Sequence, residues 1–502
     1  MLQDKLPPAA VAAYPPPSLR TSIAVIGSGP GGAITAALLA EAGREVLLLE
    51  EGPHLPLDSC IPFTRQEMEQ KYRNGGLTVA LGRYKISYVE GRCVGGGSEI
   101  NSGLYHRTPA DILENWRQVY WIEGFSEAEL TPHFSACERD VSVAYLPGAA
   151  PAASLKLHHG AQRLGWQSLE VPRWFAYTPA ASPDASEGIK QSMTQTFIPR
   201  ALAAGATLLP DTRIVRLTRT RAGWRLWVEH FLAGARKRRL AIDATTVFVA
   251  GGAIQTPALP RRSGIKSNVG NSLKFHPTVK VVACFPEAVN SIDMGVPVHQ
   301  VKQFAPWFNF GCAISTPPYL ALALVDHPRD LVNVHSQWCH MAVYYAMIGG
   351  GQGLVRPVPC YRDPLIRYRL RATDLYDLSD ALRQLCRVLL AAGAEALYPS
   401  ISGHPVIRSA VDLTCISRPL PPTRTSLMIV HLMASCPMGE NRRLAAVNSF
   451  GKVHGLEDLY IADASLLGGA PGVNPQVTKD FVEVKPDAEC SSSDSNFGNI
   501  QH

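Results

Sequence analysis

The chain has 502 residues, a hydrophobic fraction of 46%, a charged fraction of 18% and a formal net charge of +6. That length buries a sizeable core in two or three domains, and the composition excludes a disordered chain. The small net charge carries no nucleic-acid signature. The one dense basic run, Arg236-Lys237-Arg238-Arg239, lies between two strand-like stretches and reads as a hairpin.

The eleven cysteines are dispersed, with no CxxC pair. This argues against a disulfide framework and a zinc site, so no metal is expected, and it fits a reducing, cytoplasmic setting. No apolar run reaches the roughly 18 residues of a membrane span. Residues 1–19, with five prolines and Asp4, fit a signal peptide poorly and are expected to be a disordered leader.

Ile23-Ala24-Val25-Ile26 reads as a short strand, followed by a glycine-rich turn and a helix from about Gly31 to Ala42. Glu45 to Glu50 reads as a second, buried strand. Strand, turn, helix and strand make a βαβ unit. The turn Gly27-Ser28-Gly29-Pro30-Gly31-Gly32 fits G-x-G-x-x-G. Gly27 permits the tight turn, Gly29 lets the backbone approach a pyrophosphate, and Gly32 brings helix against strand. The helix N-terminus offers free N–H groups to phosphates. Glu50, at the end of the second strand, sits where a carboxylate binds ribose hydroxyls, with Glu51 as its rival.

Further on, residues 208–249 read as an antiparallel meander ending in the buried strand Thr246–Ala250. The stretch 284–424 is rich in proline and aromatics and holds one amphipathic helix, Leu378 to Ala392. Its aromatics Trp307, Phe308, Phe310, Tyr344 and Tyr345 suit either a bulky apolar substrate or the core. The last 22 residues, 481–502, are rich in Ser, Asp and Asn and are expected to be disordered.

Five blocks in order resemble the glucose–methanol–choline (GMC) oxidoreductases. They are the dinucleotide turn; Gly91-Arg92-Cys93-Val94-Gly95-Gly96-Gly97-Ser98-Glu99-Ile100-Asn101; Ala250 to Pro257 with Arg262-Ser263-Gly264-Ile265; His431 to Gly439; and Asp463-Ala464-Ser465 with Pro471-Gly472-Val473-Asn474-Pro475. The texture is closest to the cholesterol-oxidase-like and long-chain-alcohol-oxidase-like branches. The resemblance implies an α/β fold: a Rossmann-type FAD-binding domain with a parallel sheet and β-meander, plus a discontinuous substrate domain with an antiparallel sheet and helices. The FAD domain would gather residues 20–108, 195–283 and 425–480. The substrate domain would take 109–194 and 284–424.

By resemblance, the chain oxidises the CH–OH group of a small-molecule alcohol to a carbonyl by hydride transfer to FAD. The electron acceptor, oxygen or a quinone-like compound, stays open. Removing a hydroxyl proton needs a base near neutral pKa, which suits histidine. His431 matches the family's catalytic histidine, although alone it reads as a core histidine after an apolar run. Asn474 matches the second active-site position, where an amide stabilises a developing alkoxide; it also reads as a turn residue before Pro475. Gly95, Gly96 and Asn101 match the second glycine loop on the flavin. Ile214 matches a backbone contact to adenine, Asp463 and Ala464 match positions near the pyrophosphate and ribityl chain, and Gln476 belongs to the terminal cofactor-binding block. Ile100 stands where some choline-oxidising relatives carry a histidine joined to the flavin, so non-covalent FAD is expected. Glu99, His276 and His454 read as structural.

The chain departs from the family pattern after Thr478. There Lys479-Asp480-Phe481 and Pro486 replace an apolar helix whose positive end would face the flavin, so weaker FAD binding is expected. Leu259-Pro260-Arg261 and Lys266 also depart and are expected to disturb the edge of the FAD domain. The alternatives are a catalytically impaired FAD-binding protein and a flavin enzyme acting on a non-alcohol substrate. An NAD-dependent dehydrogenase is disfavoured by the second glycine loop and the terminal block.

Overall fold

The computed structural model describes residues 18–55, 59–177, 188–232, 236–292 and 294–474. The disordered-tail expectation, the departure after Thr478 and Gln476 lie outside the described residues. So does most of the expected leader, although the first strand already begins at Ser18.

The chain is an α/β protein built on two sheets. The first has seven strands among the described residues, in the order 212–220, 223–231, 237–249, 18–26, 46–49, 207–209, with 459–461 also on 237–249. Strand 237–249 does two jobs. It closes the antiparallel meander against 223–231, and it pairs in parallel with 18–26. The basic run therefore sits at the start of this strand, after the hairpin.

Period-two alternation explains the apolar strands. Ile23, Val25, Val46 and Leu48 point to one face, under helices Pro30–Glu41 and Phe197–Ala203. Ala24, Ile26, Leu47 and Leu49 point to the other, against the 433–467 segment. A parallel sheet covered on both faces needs such unbroken apolar runs.

The second sheet has nine strands among the described residues. Its centre is Thr278–Cys284, flanked by Met341–Ile348 and by Ser426–Ile429. One face carries Val279, Val281, Tyr344 and Ala346 into a core with helix Ala372–Ala391. That helix starts six residues before the expected Leu378. Its first turn is polar and is held by Arg371 N donating to Asp374 at 2.6 Å, a signal that apolar periodicity misses.

Strands Thr78–Ala80, Lys85–Tyr88, Thr278–Cys284 and Ser426–Ile429 all pair in the second sheet. Helix Gly252–Arg262 runs through both Pro257 and Pro260. Both prolines are buried among Ala258, Leu259 and neighbours, so packing holds the helix where local propensity would break it.

Candidate active site

Between the two sheets lies a cavity of about 700 Å³. Gly27, Gly29, Pro30, Glu50, Gly96, Asn101, Ile214, Asp463, Ala464, His431 and Asn474 all stand on its wall. Segments more than 400 residues apart in sequence thus meet at one site.

The cradle at one end is made by missing side chains. Gly27 has φ +106°, and a Cβ there would lie 2.2 Å from Ala250 O. A Cβ on Gly32 would lie 1.8 Å from Gly27 O, so Gly32 serves close packing and stays off the cavity wall. Beside Gly29 there is open space within 4 Å. Helix Pro30–Glu41 begins there with no side-chain cap, so its first N–H groups are left for a ligand. Gly96, at φ +55°, packs so close that a Cβ would meet Gly29 Cα at 2.9 Å.

Ser28 and Gly95 stand behind the wall, where they tie the two glycine loops together. Gly95 N donates to Ser28 Oγ at 3.1 Å, and Ser28 N and Oγ donate to Glu50 Oε2 at 3.0 and 2.7 Å. Gly52 N donates to Glu50 Oε1 at 2.8 Å. Three of the roughly four acceptor positions of the Glu50 carboxylate are used, which leaves one for a ribose hydroxyl. Burial raises the Glu50 pKa. Glu51 is taken up elsewhere, pairing with Arg73 at 2.8 Å and Arg362 at 2.5 Å. Burial alone would raise Glu51, but the guanidinium charges of Arg73, Arg362 and Arg213 hold it well below the usual carboxylate range.

Asp463 spends its carboxylate inside the protein. Oδ2 accepts from Gly252 N at 2.7 Å and from Thr256 Oγ1, and Oδ1 accepts from Ser465 N at 2.7 Å. It clamps the start of helix Gly252–Arg262 to the terminal block, and its carbonyl accepts from Leu466 N at 3.1 Å. Lys190 Nζ donates to Glu99 O at 2.7 Å and Asn101 O at 2.9 Å, fixing the loop at Asn101. Burial, opposed by Glu99, brings Lys190 down to about 8. Glu99 itself accepts from Thr194 Oγ1 at 2.9 Å.

At the other end the polar groups form one line. His106 Nε2 lies 3.1 Å from Gln300 Oε1. Gln300 Nε2 donates to Asn474 Oδ1 at 3.2 Å and approaches Tyr345 Oη at 3.4 Å. Asn474 Nδ2 lies 3.5 Å from His431 Nε2, and His431 Nδ1 lies 3.0 Å from His276 Nδ1. Burial, with the Lys302 charge, pushes His106 down to about 3, so its neutral ring donates to Gln300. Each amide is then oriented by its neighbour. Asn474 presents its NH₂ to His431, whose Nε2 is an acceptor. Asn309 Nδ2 secures the segment before Asn474 by donating to Gly472 O at 2.9 Å.

His276 was read as structural from sequence, but its ring meets that of His431 edge-on, with centroids 5.1 Å apart. Gln300, Tyr345 and His106 were not singled out as site residues. No local pattern marks Gln300, which sits on a three-residue strand, His299–Val301. Tyr345 is the one aromatic of the predicted group on the cavity wall. Its ring lies across Gly311, where a Cβ would fall 2.3 Å from its hydroxyl. Phe310 and Tyr344 are core, and Trp307 is exposed.

The residues present fit FAD. A glycine cradle at a helix start suits a pyrophosphate, a buried carboxylate suits a ribose, and the cavity continues to a histidine. Ile100, on the wall beside Asn101, has no nucleophilic atom for a flavin bond.

Two GMC oxidoreductase family models match the chain, over residues 68–278 and 359–479, and an NAD(P)-binding Rossmann-like model matches 25–58. A GMC-type oxidoreductase of Sinorhizobium fredii, itself uncharacterized, is 38% identical over 92% of this chain and 92% of its own. A long-chain-alcohol oxidase of Arabidopsis thaliana is 26% identical over 92% of this chain and 66% of its own. Among solved structures, pyridoxine 4-oxidase from Mesorbium loti shares the fold. Its TM-score is 0.68 at 17% identity, covering 92% of this chain and 97% of that one.

Proposed function

The chain belongs to the GMC oxidoreductase family, and from that premise we propose that it oxidises the CH–OH group of an alcohol to a carbonyl, with FAD held non-covalently. FAD, when bound, supplies the hydride acceptor. Gly27, Gly29, Pro30 and Gly96 would hold its pyrophosphate, Glu50 its ribose, and Asn101, Asp463 and Ala464 its flavin end.

The observation that carries the reading is the line ending at His431. Its Nε2 presents a lone pair into the cavity beside the Asn474 NH₂. At 3.5 Å their mutual contact is at the limit of a hydrogen bond. An alcohol oxygen entering between them gives its proton to Nε2 and accepts from Nδ2–H. Nε2 removes the hydroxyl proton, and Asn474 stabilises the negative charge that develops on oxygen. His276 Nδ1 accepts from His431 Nδ1–H, which keeps the proton off Nε2 beforehand and favours the imidazolium afterwards.

The test is the visible spectrum of purified chain with FAD, followed anaerobically as alcohols and amines are added. Bleaching by alcohols, lost in His431→Ala, supports the reading. Bleaching by amines alone moves the activity to another C–H bond, and bound flavin that nothing bleaches leaves a binding protein.

A further inference from the structure

The half of the cavity beyond the glycine loops is walled by one face of the nine-stranded sheet. Along the central strand this face carries Thr278 and Lys280, following His276 by two and four residues. At ~3.3 Å per residue, Lys280 stands about 13 Å along the strand from the histidine that holds His431. On the wall between, Thr278 pairs across the strands with Met347 and Met428, and Lys280 itself pairs with Tyr345.

A lysine is out of place at the far end of this wall. Among the described residues its Nζ reaches only Met428 Sδ, a weak acceptor, at 3.6 Å. It forms no ion pair among the described residues. On the wall of the same cavity stands Asp326, in the turn after helix Pro317–Ala323. Asp326 is 6% exposed, and its Oδ2 is buried with no hydrogen-bond partner among the described residues. Burial lowers Lys280 to about 8, against the pull of the Asp326 charge. The two groups attract yet do not touch. A buried carboxylate oxygen without a donor is costly, as is a buried ammonium without an acceptor.

A single group satisfies both: it accepts from Lys280 and donates to Asp326. A hydroxyl does this. A carboxylate would face Asp326 as a like charge, an amine would face Lys280, and an alkyl end would leave both without partners. We propose that Lys280 and Asp326 form a second recognition site for a distal hydroxyl, so that the substrate is a long aliphatic diol. One hydroxyl reacts at His431 and Asn474 while the other seats between the two charges. This rests on the alcohol-oxidation reading for the reacting end and adds the chemistry of the other end.

The test compares FAD-loaded wild type with Lys280→Met and with the double variant Lys280→Met/Asp326→Leu, whose apolar pair fills similar volume without buried charge. Straight-chain alkanols, α,ω-diols and ω-hydroxy carboxylates of matched length are assayed for kcat/KM. Their dissociation constants are read from the perturbation of the flavin absorbance. Wild type is expected to prefer the diol over the matching alkanol by about tenfold or more, since a site built to bind a hydroxyl rejects the analogue lacking it. In the double variant the diol KM rises, the alkanol KM falls, and the preference drops to about onefold. Equal kcat/KM for diols and alkanols at every length in wild type would overturn the proposal, as would a diol preference that survives in the double variant. If no alcohol bleaches the flavin, the alcohol-oxidation reading fails, and binding alone judges the site. Tighter diol binding that the variants abolish then supports it, and equal binding overturns it.

Discussion

At the scale of single residues, the proposed chemistry depends on which nitrogen of His431 carries the proton. His276 fixes this from one side at 3.0 Å, and the Gln300–Asn474 pair fixes it from the other. If His431 is the proposed base, His431→Ala is expected to lower kcat by about 10²–10⁴ with the flavin spectrum retained. Asn474→Ala removes a donor to a developing oxyanion, at an expected cost of about 10²–10³ in kcat. His276→Ala is expected to act through His431. A merely structural residue would lower stability and leave the pH–rate profile in place, whereas loss of an acceptor for His431 Nδ1–H moves the limb set by the base. Steady-state rates across pH, with unfolding midpoints alongside, separate the two. Of these residues, His431 and Asn474 were singled out because each sits in a block of known texture, and the structure brings both to one cavity wall. His276 was visible, but nothing tied it to His431, since an Nδ1–Nδ1 contact across 155 residues leaves no trace in one sequence.

At the scale of elements, the strand–turn–helix at residues 18–41 was read closely from the sequence, because glycine spacing and unbroken apolar runs report sterics and two-sided burial directly. The second sheet was not. Its strands are scattered from residue 78 to residue 429, and several of them alternate too briefly to register. Inside the glycine turn the structure separates two demands that the motif runs together. Gly29 has φ −62° and open space beside it, so Gly29→Ala is expected to fold with an unfolding midpoint close to wild type, yet to bind FAD weakly, because its methyl enters the cradle. Gly32→Ala drives a Cβ against Gly27 O, backbone on backbone, and is expected to cost about 1–3 kcal/mol or more. Thermal melts with and without FAD distinguish them: the first variant loses the ligand-induced rise, and the second melts early in both. If Gly29→Ala keeps full FAD affinity, the pyrophosphate lies elsewhere.

At the scale of the whole molecule, a buried ion cluster joins parts that no local pattern connects. Arg73 meets Glu51, just past a strand of the first sheet, at 2.8 Å, Glu90 beyond a strand of the second at 3.6 Å, and Asp363 from a distant loop at 3.0 Å. It was illegible in the sequence, where Glu51 stood only as a rival to Glu50, because its members become neighbours only once both sheets are packed. The cluster is short of charge for Glu90. Burial pushes this carboxyl from 4.5 up to about 7, and the nearby Arg73 only partly offsets it. Between those two values the folded chain holds a proton that the unfolded chain has released. The contribution of Glu90 to stability is therefore fully present below pH 4.5 and is lost as pH rises through 7. Glu90→Gln keeps the hydrogen-bonding shape without the titration. The unfolding free energy of wild type relative to this variant is expected to fall by about 3 kcal/mol across that window, in proportion to the shift. Urea titrations of both proteins at intervals of pH, with FAD saturating throughout, measure the difference directly and cancel every other titrating group the two chains share. A difference that is flat with pH would mean that Arg73 fully compensates Glu90 and that the joint between the sheets stays ionised.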